Sequence, residues 1–383
     1  MHRSSASHPH DSRVRADEPG RLTRRDFCMR LLGVAGAALS SASLFTGRAH
    51  AADEAGCAGL EGETIHFIVP APPGGGFDAV ARLIEPFLEK RLGAQIVIEN
   101  VVGGGTIRGA RKISDAKPDG REWGITNPAA MLIALAGGDR SAPDPIDDFT
   151  IFGKIAPTPH IWAVGGDSPI HNLEDLYTLS RQRPIVAGVT EFGSTGPESA
   201  VIVSRILGID CSLVPGYQGT NGITLAAIRG EVDIAPLNLE GRTGLMEAGE
   251  VRPILWVSSR PRPPALENLA CLSGEGGEAV HRARELGRDP KAALEEARAL
   301  TMLLDTGRVA TGPPNLPAAL ATCLEEHVRR ILEDPECDSA AEQARLEIEF
   351  TPASRVRAEL NIARAAAVQF APFMEEEARK IEE

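Results

Sequence analysis

Past residue 51 the sequence predicts an α/β protein of two lobes. Three observations predict it. Short β-branched apolar runs alternate with segments whose apolar residues recur at helical spacing. The order strand, helix, strand, helix, strand occupies residues 64–126, and residues 161–257 repeat the style. The remaining length, about 330 residues, suits two domains of ordinary size.

Residues 64–69 read as the first strand, stopped by Pro70. A Gly- and Pro-rich loop leads into a helix over 77–92, with Val80, Leu83, Ile84, Phe87 and Leu88 on one face. Gly93 stands in the C-cap position. Residues 95–99 are the second strand. Gly103, Gly104 and Gly105 precede a helix to about Ala116, and 123–126 form a third strand. In the middle, 161–164, 185–189, 211–214, 232–235 and 254–257 read as strands. Helices over 172–180, from Pro197, and up to Gly230 separate them. Pro261, Pro263 and Pro264 make a turn-rich stretch, and 278–300 reads as one charged helix. The last seventy residues read as helical, with apolar spacing at Ala319, Cys323, Val328, Ile331 and Leu332.

Residues 1–51 read as an export leader. Thr23-Arg24-Arg25-Asp26-Phe27 carries the arginine pair of a twin-arginine signal. The apolar stretch 31–45 is too short for the roughly 20 residues that span a bilayer. Ala49-His50-Ala51 puts small residues where a signal peptidase reads, so cleavage is expected after Ala51. The expected compartment is the periplasm, reached in folded form. Ala55-Gly56-Cys57 ends like a lipid-attachment box, but Asp53 and Glu54 stand where an apolar residue is wanted.

The formal net charge is −13. Residues 1–51 hold eight Arg and four acids, a net +4, so the remainder carries −17. Such a surface repels nucleic acid. It does not forbid an anionic small ligand, because local dipoles dominate inside a cleft. Cys57, Cys211, Cys271, Cys323 and Cys337 follow the leader; the number is odd, so at least one is free or pairs between molecules. Cys323 with Cys337 is one pairing, and buried thiols are the other reading. No CxxC occurs, and none of His66, His160, His171, His281 and His327 lies in a metal or nucleophile motif. No catalytic residue, metal or cofactor is expected.

Two loops carry the functional signal. Residues 70–78, Pro70-Ala71-Pro72-Pro73-Gly74-Gly75-Gly76-Phe77-Asp78, and Gly193-Ser194-Thr195-Gly196-Pro197 each follow a strand and open a helix. A helix start presents unpaired N–H groups and partial positive charge. Glycine lets a ligand approach that backbone. Two such loops in facing lobes would clamp a carboxylate. Tight, well-capped turns are the other reading, with Asp78 satisfying first-turn amides. Phosphate motifs fail on spacing: no lysine follows Gly76, and the run 103–109 misses GxGxxG by one residue.

The first loop, with Ile68-Val69 before it and Ala81-Arg82 after it, resembles the opening motif of the substrate-binding receptors of tripartite tricarboxylate transporters, the Bug-type periplasmic proteins. Leu92-Gly93, residues 97–100, Pro118-Asp119-Gly120, Gly193-Ser194-Thr195, Val214-Pro215-Gly216-Tyr217-Gln218-Gly219, Gly230-Glu231-Val232-Asp233 and Gly312-Pro313-Pro314-Asn315-Leu316-Pro317 follow in family order. The resemblance covers roughly residues 62–383. It implies a type II-like two-lobe periplasmic binding fold with the ligand cleft between the lobes. It implies a non-catalytic receptor that closes on a small organic anion, a carboxylate, and presents it to membrane permease subunits. The ligand-binding residues so implied are Pro72, Pro73, Gly74, Gly75, Gly76, Phe77 and Asp78 in one lobe, and Gly193, Ser194, Thr195 and Gly196 in the other. Asn127, Tyr217 and Asn238 are expected at strand ends facing the same crevice. The lobes are then 62–160 with 258–383, and 161–257. Ala71 stands where the family commonly has an aromatic residue, and 274–300 looks like an insertion. A monomer is expected, with no nucleic-acid partner. An exported enzyme folded before translocation and a ligand sensor for a membrane kinase are the competing readings.

Overall fold

The computed structural model describes residues 56–191 and 194–382. The leader lies outside the described residues, as does Gly193. β1 (Thr64–Val69) is buried on both faces towards its end, as suits a parallel strand. It is followed by α1 (Gly76–Leu92), which stops where Gly93 adopts φ 60°. β2 (Gln95–Asn100), α2 (Ile107–Ser114) and β3 (Glu122–Thr126) come next. β2 and β3 both pair in parallel with β1, so α1 and α2 are the crossover helices. Then α3 (Pro128–Ala136), apolar and buried over most of its length, leads to β4 (Thr150–Ala156).

Pro157-Thr158-Pro159 carries the chain into β5 (His160–Gly165), the middle strand of a second sheet. α4 (Leu173–Ser180) is capped by the Asn172 side chain, which accepts from Asp175 N. β6 (Ile185–Gly188), α5 (Thr195–Leu207), β7 (Cys211–Val214), α6 (Gly219–Ile228), β8 (Ala235–Asn238), α7 (Thr243–Glu247) and β9 (Val251–Val257) follow. β8 and β9 flank β5 in antiparallel fashion, and β6 pairs with β7 in parallel. Gly188 N donates to Ile234 O, which ties the two small sheets together.

After β9, α8 (Glu278–Glu285) and α9 (Pro290–Leu304) pack on α5. β10 (Arg308–Gly312) then enters antiparallel between β3 and β4, giving the order β2-β1-β3-β10-β4. α10 (Ala318–Leu332), α11 (Pro335–Ala344) and α12 (Ala353–Glu382) complete the chain. Trp123 is the centre of the first core, edge-on to Phe67 at 4.9 Å and to Phe152 at 5.4 Å between ring centroids. Where the chain crosses between the sheets, Asp305 accepts from Ser258 Oγ at 2.8 Å and from Ser259 N at 2.6 Å. Thr158 Oγ1 donates to Leu304 O beside it. No helix among the described residues is long and apolar enough to cross a membrane.

Several expectations are corrected. The strand expected at 232–235 is β8, three residues later, and it contains Pro236; β8 is an edge strand, where a missing N–H is tolerated. β4, β10 and α3 were not expected. The charged helix 278–300 is two helices, broken at Gly287 with φ 67° and restarted by Pro290. Cys323 is bonded to Cys57, across a sequence separation of 266, and Cys337 is a buried thiol. With its sulfur in that bond, Cys57 has none to offer a lipid.

Candidate functional site

A cavity of about 160 Å³ lies where the five-stranded and the three-stranded sheet meet. The N-terminal ends of α1, α5 and α6 reach its wall with Gly76, Thr195 and Gly219. Their first-turn N–H groups point outward from the helices and favour negative charge. A third glycine run borders the cavity: Gly103, Gly104 and Gly105 all have positive φ, and Thr106 follows at φ 97°. Only glycine holds such a backbone without cost; at Thr106 the strain is retained beside a cavity. The Thr106 hydroxyl is buried with no hydrogen-bond partner among the described residues.

Of the residues expected at the site, Pro72, Gly75, Gly76, Phe77, Asn127, Ser194, Thr195, Gly196, Tyr217 and Asn238 line this cavity. Pro73, Gly74 and Asp78 do not. Asp78 is buried behind the loop: its carboxylate accepts from Gly74 N and Arg82 Nε, each at 2.9 Å, and from Asn100 Nδ2 at 3.0 Å. Asn100 Nδ2 also donates to Ala71 O. The Gly-rich turn is thus laced to its own helix. These donors together hold the Asp78 carboxyl below its ordinary value, although burial opposes them. Gly193 lies outside the described residues.

Two buried residues at the cavity were not anticipated. Arg308 on β10 is 1% exposed and stacks its guanidinium 4.8 Å from the Phe77 ring centroid. Its Nη2 pairs with Glu240 Oε2, while Nε and Nη1 have no hydrogen-bond partner among the described residues. Burial pushes the Glu240 carboxyl up, against the pull of Arg308 and Arg242. A Cβ on Gly76 would collide with the Glu240 carboxylate and lie 2.5 Å from Arg308 Nη2, so a side chain here would have to displace the tips of the buried pair. His160 opens β5 and is fully buried, with Nε2 2.9 Å from Thr195 Oγ1. Burial, reinforced by the Arg308 charge, drops its pKa to about 4 and keeps the ring neutral near pH 7. No motif surrounds either residue in the sequence.

Above the cavity, Asn221 Nδ2 on α6 approaches Gly74 O at 3.4 Å, and Arg242 Nη2 donates to Asn221 Oδ1 at 2.7 Å. This bridges the loop before α1 to the second sheet's side. Among the described residues, Cys57, Cys323 and His327 group atoms of metal-ligating type within 4.8 Å of one another, but two of the three are the disulfide sulfurs.

Residues 80–286 match the sequence family described as the tripartite tricarboxylate transporter family receptor. The chain belongs to this family. A UPF0065 protein of Agrobacterium vitis is 28% identical over 220 residues, covering 56% of this chain and 61% of that one. The chain therefore spans about three-fifths of the curated relative it matches. The periplasmic binding protein BugD shares the fold with a TM-score of 0.65 at 19% identity, over 81% of this chain and 97% of that one. An R. palustris protein solved with adipate has a TM-score of 0.66 at 23% identity, over 82% of this chain and 97% of that one. The architecture is the two-lobe fold of periplasmic binding proteins.

Proposed function

We propose that this chain is a periplasmic receptor that captures a small organic anion, a carboxylate, between its lobes and delivers it to a tripartite membrane permease. The observation that carries the reading is the convergence of three helix N-termini on one small cavity, which Arg308 also borders. Backbone N–H groups near Gly75, Gly76, Phe77, Thr195 and Gly196 would hold the carboxylate, with Asn127, Ser194, Tyr217 and Asn238 orienting the rest. Asp78 would shape the loop from behind. The solved relative with adipate supports the ligand class, and membership of a transporter receptor family supports the partner. Residues 62–160 with the C-terminal segment form one lobe in this proposal, and 161–257 the other. Because α8 and α9 pack on α5, residues 278–304 are assigned to the second lobe. The leader is proposed to route the folded monomer through twin-arginine export.

A thermal-shift screen over mono-, di- and tricarboxylates, aromatic acids and amino acids tests the proposal. A ligand that binds only the folded chain adds about 2.7 kcal/mol of stability at a hundred times its Kd. The expected result is a raised Tm with at least one acid and no turnover of it. A flat response to the whole panel would count decisively against a carboxylate receptor.

A further inference from the structure

We propose that the outer face of α12 is a contact surface for a second copy of this chain, paired antiparallel about a two-fold axis at Ala365. The inference goes beyond the receptor reading and does not depend on it.

The face stands out by its lack of charge. α12 buries one side, with Val356, Leu360, Ala363, Ala367, Phe370 and Met374, and packs on α3, α5, α9 and β4. On the other side, the exposed residues between Arg355 and Glu375 are Ala358, Asn361, Ile362, Ala365, Val368, Gln369 and Pro372. None of them is charged, in a chain that is 24% charged. Arg357, Glu359 and Arg364 lie at the edges of the face, where they meet Ile146 O, Lys154 and Asp144. Among the described residues, Val368 at 63% and Ile362 at 55% are the most exposed large apolar side chains. With Ala358, Ala365 and Pro372 they recur in steps of three and four, so they share one stripe. Apolar surface grouped in this way marks a contact, where scattered exposure would not.

The order of residues names the occupant. Counted outward from Ala365, Ile362 and Val368 stand at three residues, and Asn361 and Gln369 at four. Ala358 and Pro372 stand at seven, and Arg355 and Glu375 at ten, with Glu376 next. An antiparallel second copy reverses this order. Its Val368 then comes level with Ile362, its Gln369 with Asn361, and its Glu375 with Arg355. Apolar stands by apolar, amide by amide and base by acid, once on each side of the axis. A parallel copy would put like charges together at both ends. Such self-complementarity is what a two-fold contact requires. Ala365 presents only a methyl at the centre, so the helices can approach closely. Arg355 bonds Glu359 within the helix, yet its side chain stays 74% exposed, and that of Glu376 is 58% exposed. Both can reach across.

The pair is a weak, exchanging one. A helix over a core curves with its convex side to solvent, so contact centres on Ala365. One helix on one helix also falls short of the roughly 1,000 Å² of a lasting interface. The monomer proposed for export is the dilute form of the same chain. No residue of α12 lines the cavity, so the pairing does not use it.

Sedimentation velocity of the mature protein, from about 5 µM to about 500 µM, measures the pairing. We expect a monomer at the low end and a dimer at the high end, with a Kd of about 100 µM. Val368→Glu, at an exposed position, should weaken it at least about tenfold with Tm unchanged. Arg355→Glu should weaken it about fivefold, and adding Glu375→Arg should restore it. Disulfide trapping under a mild oxidant reads the geometry, with the unsubstituted protein in parallel and the link assigned by peptide mass. Ala365→Cys meets its own copy at the axis and should give a covalent dimer. Ala358→Cys lies about 21 Å from its own copy in this pairing and should not. A protein that stays monomeric at the highest concentration overturns the inference. So does a dimer that survives Val368→Glu, or one that links through Ala358→Cys as readily as through Ala365→Cys. A monomer whose Ala365→Cys thiol is shielded only by membrane subunits also overturns it, and gives the face to the transporter. The trapping result decides even where Val368→Glu does not fold.

Discussion

Burial makes Arg308 and Glu240 depend on each other. Removing one leaves the other as an uncompensated charge, and such breaks cost about 3–5 kcal/mol. Arg308→Met should therefore lower urea stability by that order, and adding Glu240→Met should recover most of the loss. A double variant as unstable as the single one would show that the pair is not coupled. His160 makes a second prediction. Its folded pKa is about 4, below the 6.5 of a free imidazole. Between those values the unfolded chain takes up a proton that the folded chain refuses. Stability from this group is intact above pH 6.5 and falls on acidification, by about 3 kcal/mol near pH 4. His160→Asn should flatten that part of the pH profile in matched urea titrations. Neither residue could be picked from the sequence. Arg308 is buried only because β10 returns, some 180 residues after β3, to pair with it. The glycine loops that border the cavity could be picked, because each stands between a strand pattern and a helix pattern, an arrangement that also reads as a capped turn.

At the scale of elements, α2 leans on Pro70, the cavity-lining residue that follows β1. The contact is glycine on proline: a Cβ at Gly109 would lie 2.7 Å from Pro70 Cα. Backbone cannot yield as a side-chain tip does, so Gly109→Ala should push α2 off the loop that follows. We expect a loss of about 2–3 kcal/mol in urea unfolding, with a weakened ligand-induced Tm shift. Gly59→Ala, where the added methyl meets open space, should change stability by less than about 0.5 kcal/mol. The elements legible in advance were apolar runs bounded by turn residues and helices with a clear apolar face: β1, α1, β2 and β3 in the first half, and β5, α4, β6, β7 and β9 in the second. β4 and β10 were not picked out, although β5, buried throughout in the same way, was. α3 hid, being apolar on every side. Pro236 is tolerated inside β8 because β8 is an edge strand.

At the scale of the whole molecule, the two-lobe architecture was legible from motif order, while the covalent link was not. An odd set of cysteines without CxxC spacing leaves the pairing open. The bond joins residues 266 apart, and closing so long a loop restricts the unfolded chain severely. Cys57→Ser should reduce stability by as much as about 5 kcal/mol, and a reducing agent should do the same to the wild type. An unchanged urea midpoint in either case would mean that the link is dispensable.

The Cys57–Cys323 bond also decides how force and damage travel. All three sheets lie within the ring it closes, since β1 to β10 fall between the two sulfurs in sequence. A pull on the chain at residue 57 is carried straight into α10, bypassing the hydrogen bonds that hold β1. A single cut in any loop of that ring leaves one molecule rather than two fragments. Oxidation therefore gives this chain a tolerance to nicking that its hydrogen bonds alone would not supply.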